Sequence, residues 1–118
     1  MEPAYLVGTG GAIGAVLRYL VAEFLVRRYG PTRFPVSTLV VNVIGSFVLG
    51  VVILSGASEP TTLFVGVGVC GAFTTYSSFS VQTVRLWEDG RRGYAVGNAI
   101  GNLVLSAAAV GLAWLLVG

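Results

Sequence analysis

Four apolar stretches, residues 4–25, 36–54, 61–84 and 94–117, occupy most of the 118-residue chain. Each reaches roughly the 20 residues a helix needs to cross ~30 Å of hydrocarbon. With 55% hydrophobic and 10% charged residues, a soluble domain of this size would leave much of that surface facing water. The expected fold class is therefore an all-α membrane protein with four transmembrane helices. The connections, residues 27–35, 55–60 and 86–93, are short enough to make neighbours antiparallel within one domain, residues 1–118. The first stretch has no basic residue ahead of it and exceeds a signal-peptide core, so it is expected to be a retained helix. The lone Cys70 can form no intrachain disulfide and reads as a small packing residue.

Charge sets an orientation. Arg27, Arg28 and Arg33 follow the first helix, and Arg85, Arg91 and Arg92 follow or end the third, which puts all six on one side of the membrane. The amino terminus, the Glu59 loop and the carboxy terminus contain no basic residue. The positive-inside rule then places the arginine loops in the cytoplasm and both termini outside. A net charge of +2 without a basic run among aromatics gives no case for nucleic acid.

Polar residues inside such spans must find a partner, line a cavity or destabilise the fold. Thr38, Asn42 and Ser46 share one face of helix two, and Tyr94, Asn98, Asn102 and Ser106 form a slowly drifting stripe on helix four. Such stripes serve either as interhelical hydrogen bonds or as the wall of an ion path. Amides and hydroxyls, with no intramembrane carboxylate but Glu23 near a helix end, suit an anion better than a coupled proton. Small residues at Gly10 and Gly14, Ser46 and Gly50, and Gly93, Gly97 and Gly101 are spaced for close helix packing. Residues 71–80, Gly-Ala-Phe-Thr-Thr-Tyr-Ser-Ser-Phe-Ser, have weak helix propensity. Helix three can break there and use freed carbonyls for ions, or run on with its hydroxyls bonded to the preceding turn. Arg18, deep in helix one, either stabilises the fold or attracts anions into a vestibule.

Three stretches carry a family resemblance: residues 10–19 (GGAIGAVLRY), 35–47 (PVSTLVVNVIGSF) and 71–80 (GAFTTYSSFS). They resemble signatures of the CrcB/Fluc fluoride channels, and the similarity extends over nearly the whole chain. The resemblance implies a dimer of antiparallel four-helix subunits with helix three broken near its middle, two fluoride pores and a central structural sodium ion. By that analogy the carbonyls of Gly71 and Thr74 would hold sodium. Asn42 would donate its amide to fluoride, Tyr76 and Phe79 would stand at the two pore aromatics, and Thr75, Ser77 and Ser78 would add hydroxyl contacts. Arg18 would be the arginine of the first signature, and Tyr94, Asn98, Asn102 and Ser106 would supply a polar track. Tyr76 stands where phenylalanine is usual and Gln82 where glutamate is common. The expected role is passive export of fluoride across the cytoplasmic membrane of a microbe.

An antiparallel homodimer needs a chain that inserts both ways, whereas the arginine bias here favours one orientation. The physiological partner is accordingly expected to be an oppositely biased homologue, with a homodimer as the alternative. Two rivals remain. A proton-coupled multidrug transporter would need an embedded carboxylate, and residues 10–17 of helix one contain none. A non-transporting assembly subunit would use the same stripes only for packing. An enzyme is not expected, since histidine is absent and no nucleophile is paired with a base.

Overall fold

The computed structural model describes residues 2–118 as an all-helical bundle, 48 × 29 × 25 Å. Helix α1 is Pro3–Tyr29 and α2 is Val36–Leu54. The third crossing, Glu59–Glu88, consists of one helical turn, α3 (Glu59–Thr61), a π-helical stretch (Thr62–Cys70), a second turn, α4 (Gly71–Phe73), and α5 (Tyr76–Glu88). Helix α6, Arg92–Val117, completes four helices among the described residues that are long and apolar enough to span a bilayer.

The helices outrun their apolar cores. At 1.5 Å per residue, α1 is about 40 Å long, so its last turn, with Arg27, Arg28 and Tyr29, extends past the hydrocarbon. There Glu23 pairs with Arg27 at 3.3 Å across one turn, so the carboxylate a proton-coupled transporter would need lies in an exposed ion pair towards the helix end. The same end carries Arg92 over the Trp87 ring at 4.7 Å, a contact suited to a membrane interface. Gly30 and Gly90, at φ 80° and 79°, turn the chain out of α1 and α5 on this side.

The buried core is thin. Its hydrophobic members are Val41, Val52, Cys70, Phe73, Leu86, Ala95, Ala109 and Ala113, while Leu103 and Leu115 on α6 are more than 70% exposed. That inversion fits lipid, where close approach through small residues replaces hydrophobic burial. Helix α1 lies on the π stretch through glycines: a methyl on Gly10 would overlap the Phe64 carbonyl oxygen, and one on Gly14 the Val69 carbonyl oxygen. Gly50 of α2 similarly admits Ala113 and Val110 of α6. The α6 glycines depart from expectation: nothing lies within 4 Å of a methyl placed on Gly93, and Gly97 and Gly101 would make only ordinary contacts with Phe34 and Leu39. Gly93 and Gly97 are exposed and Gly101 half-buried, and no neighbouring backbone lies within 4 Å of a methyl on any of them.

Candidate functional site

Helix three breaks three residues after Gly71. Thr74 (φ −82°, ψ 161°) and Thr75 (φ −146°, ψ 116°) are extended, between α4 and α5. Hydroxyls finish both ends. Thr74 N–H and Oγ1 donate to the Cys70 carbonyl at 3.0 and 2.8 Å, and Thr75 Oγ1 accepts the Ser78 N–H at 3.1 Å as the N-cap of α5. Asn42 of α2 grips the gap. Its Oδ1 accepts the Thr75 N–H at 2.8 Å and its Nδ2 donates to the Thr75 carbonyl at 3.2 Å. One side chain thus supplies the two bonds a neighbouring strand would make, which lets extended backbone persist at membrane depth. Gly45, three residues on, clears the space, since a methyl there would overlap the Thr74 methyl.

Two cavities meet at this point. A groove of about 720 Å³, open rather than enclosed, is lined by Asn42, Ser46, Gly71, Thr74, Tyr76, Phe79, Asn102 and Ser106 within an apolar wall of Leu49, Leu103 and Val110. A smaller cavity of about 320 Å³ is lined by Arg18, Ser37, Thr38, Ser78 and Gln82. Thr75 alone contributes to both, so the break is the septum between them. The Tyr76 and Phe79 rings are 6.0 Å apart at 45°. Arg18 is half-buried, and among the described residues the one salt bridge is that of Arg27 with Glu23, so no carboxylate neutralises the Arg18 guanidinium. Gln82 Oε1 is buried without a hydrogen-bond partner.

The amides beyond Asn42 form a chain. Asn42 Nδ2 donates also to Asn102 Oδ1 at 3.0 Å, and Asn102 Nδ2 to the Asn98 carbonyl and Oδ1 at 2.8 and 2.9 Å. Asn98 Nδ2 donates to Thr83 Oγ1 at 2.8 Å, and Thr83 Oγ1 to the Phe79 carbonyl at 2.7 Å.

These contacts sort the expected residues. Asn42, Thr75, Tyr76, Phe79, Asn102 and Ser106 gather around the groove with Gly71 and Thr74, and Arg18 and Ser78 around the smaller cavity. Ser77 is exposed and reaches the break only through Thr75 Oγ1, at 3.4 Å. The helix-four stripe is not one track. Tyr94 stands at the arginine-rich end, edge-on to Phe34 at 5.9 Å, and Asn98 is wholly buried between α5 and α6 and lines neither cavity. Nor has Asn42 a proton to spare for an ion, because both of its amide N–H bonds are already engaged.

Residues 5–114 match the sequence profile of the CrcB-like, camphor-resistance proteins. The chain belongs to the CrcB family. It is 50% identical to the fluoride-specific ion channel FluC 2 of Haloarcula marismortui over 114 residues, 97% of this chain and 92% of that one. Against FluC 1 of Halobacterium salinarum the identity is 51% over 115 residues, 98% and 93% of the two chains. FluC of the bacterium Opitutus terrae is 46% identical over 113 residues, 90% and 85%. Among CrcB proteins, then, this is a multi-pass membrane chain, and the matched region contains all but the outermost residues of the first and last spans and the whole break.

Sequence reasoning missed three contributors. Ser37 shares a cavity with Arg18, yet reads from sequence as a helix-start serine. Gln82 figures only as a departure from the family pattern, and its unpartnered oxygen depends on packing no spacing reveals. Thr83, which receives the amide chain, looks like any hydroxyl near a helix end. One signal was available for the break itself: the Thr75 hydroxyl stands three residues before Ser78, the spacing of an N-cap.

Proposed function

We propose that the chain is a subunit of a fluoride-selective channel through which fluoride leaves the cytoplasm passively, and that the working unit is an antiparallel dimer with two pores. The observation that carries the reading is near-full-length identity of about half to FluC 2 and FluC 1, named as fluoride-specific channels. The two cavities have suitable chemistry. Fluoride is small and strongly hydrated, so a narrow path must replace its water with hydrogen-bond donors. Ser37, Ser78 and Thr75 offer hydroxyls from the Arg18 side, and Ser46 and Ser106 offer them in the groove. The positive edges of Tyr76 and Phe79 can face an anion without trapping it. Arg18, free of a carboxylate, raises the local anion concentration at the smaller cavity. Asn42 contributes by holding the break, and donates to fluoride only when the ion displaces Asn102 from one of its protons.

A second chain completes this arrangement. Tyr76, on the groove wall, is 81% exposed within one chain, and an antiparallel neighbour would cover it and close the open groove. Six arginines at one end and none at the other favour a single orientation, with arginine loops cytoplasmic and termini outside. The partner is then an oppositely oriented homologue.

The break also fits a sodium ion. The Thr75 N–H, which would bond the Gly71 carbonyl in an unbroken helix, is turned to Asn42, and extended Thr74 carries its carbonyl out of the helical ladder. These are hard neutral oxygens of the kind alkali cations take, and Gly71 and Thr74 of two chains would supply four. A bound sodium would supply fixed positive charge at the centre of the dimer. Exchanging sodium for a large organic cation is expected to lower the melting temperature of the dimer in detergent by several degrees, and an unchanged transition would overturn this assignment.

The function is tested by loading liposomes with fluoride and following efflux with a fluoride electrode, with the chain alone and with an oppositely biased homologue. Efflux that needs the homologue supports the fixed pair, efflux from the chain alone establishes a homodimer, and no efflux in either case overturns the channel reading. Carboxy-terminal reporter fusions check orientation separately, and equal signal on both sides of the membrane would reject a fixed one.

A further inference from the structure

The amide chain behind the groove has a direction. Every link donates the same way, from Asn42 to Asn102 to Asn98 to Thr83 to the Phe79 carbonyl. The orientations are not free choices. Asn42 Oδ1 faces the Thr75 N–H, which can only donate, so Asn42 Nδ2 must face Asn102. Asn102 Nδ2 faces the Asn98 carbonyl, which can only accept. Flipping either amide would set donor against donor or acceptor against acceptor. Bonds aligned head to tail also polarise one another.

The chain is also a closed circuit. It leaves α5 at its N-cap, Thr75, crosses to α2 through Asn42 and to α6 through Asn102 and Asn98, and returns to α5 at Thr83 and Phe79. Three separate crossings are tied to the two extended residues, and the tie runs through Asn98, which is wholly buried. Thr83 lines neither cavity, so it touches nothing that passes through them.

We infer that Asn102, Asn98 and Thr83 are positioning residues: they brace Asn42 against the Thr75 peptide and so set the width of the septum between the two cavities. As far as conduction is concerned, this rests on the fluoride-channel reading, but the brace itself does not. It assigns Asn98 to the support of the break, away from any contact with the ion, and gives Thr83 a role through two intervening amides. Loosening the brace frees the Thr75 peptide to move into the septum, which changes what passes it. Thr83→Val keeps the shape of the side chain and removes the hydroxyl, whereas Thr83→Ser keeps the hydroxyl.

The deciding experiment compares wild type, Thr83→Val and Thr83→Ser by hydrogen–deuterium exchange of the peptide covering residues 71–79 and by fluoride and chloride efflux from liposomes. The expected result is at least tenfold faster exchange at the break in Thr83→Val, with the fluoride-to-chloride flux ratio reduced severalfold, and wild-type behaviour in Thr83→Ser. Wild-type exchange at the break in Thr83→Val would overturn the brace, whatever the flux. If wild type carries no fluoride, the channel reading fails while the exchange comparison still decides the brace. Asn98→Ser, which is too short to span from Asn102 to Thr83, interrupts the circuit from α6 and gives the same comparison should Thr83→Val fail to fold.

Discussion

Asn42→Leu is expected to abolish fluoride efflux and to destabilise the folded chain at once. Leucine matches asparagine roughly in size but removes three bonds, those to the Thr75 N–H, the Thr75 carbonyl and Asn102 Oδ1. An average interhelical hydrogen bond in a membrane is worth only ~0.6 kcal/mol, because a loosened partner finds another. The Thr75 N–H has no such recourse. It belongs to a buried residue in extended backbone, and leaving such a group unsatisfied costs ~1–3 kcal/mol. The larger figure governs, so the break should collapse toward continuous helix or unfold locally. Asn42→Asp divides the three bonds. The carboxylate still accepts the Thr75 N–H, but its second oxygen would face the Thr75 carbonyl and Asn102 Oδ1, acceptor against acceptor, and its charge would repel an anion in the groove. Thermal unfolding in detergent should therefore place both variants well below wild type, and efflux from liposomes should place both near background. Wild-type flux in Asn42→Leu would show that the break needs no clamp.

These two substitutions also show where the sequence stops being informative. Four spans were legible because crossing a bilayer demands a length that few other elements need. A break near Gly71 was legible only as one of two options, since weak propensity permits an extended pair without requiring it. What decides it is Asn42, 33 residues away in sequence from Thr75. Helix four teaches a similar lesson. Residues spaced by four drift about 40° per step around a helix, so from Tyr94 to Ser106 the stripe turns by roughly a third of the circumference. One set of like-spaced polar residues is thereby distributed among an interfacial aromatic contact, a buried brace and a groove wall. No spacing in residues 62–70 announces the π stretch, which α1 meets in close contact at Gly10 and Gly14.

That contact yields the largest expected loss of folded protein. Gly14→Val and Gly10→Val should each prevent accumulation of a monodisperse chain, while Gly8→Ala, in open surroundings, should purify like wild type. A side chain at Gly14 would overlap the Val69 carbonyl oxygen and come within 3.0 Å of the Phe73 N, and one at Gly10 would overlap the Phe64 carbonyl oxygen and come within 3.1 Å of the Gly68 Cα. All of these are backbone atoms, which no rotamer change can withdraw. Overpacking against movable side chains already costs ~1–3 kcal/mol. Here α1 must lift off helix three, and in lipid no hydrophobic gain holds the separated helices together. The effect reaches the site, because Gly14 also borders the last turn before the break through Phe73. Gly14→Ala is the graded probe: its single methyl still overlaps the Val69 carbonyl oxygen, so reduced yield with some surviving monodisperse protein is expected by size-exclusion chromatography. Normal yield and profile for Gly14→Val would mean that α1 does not approach the π stretch this closely in the membrane.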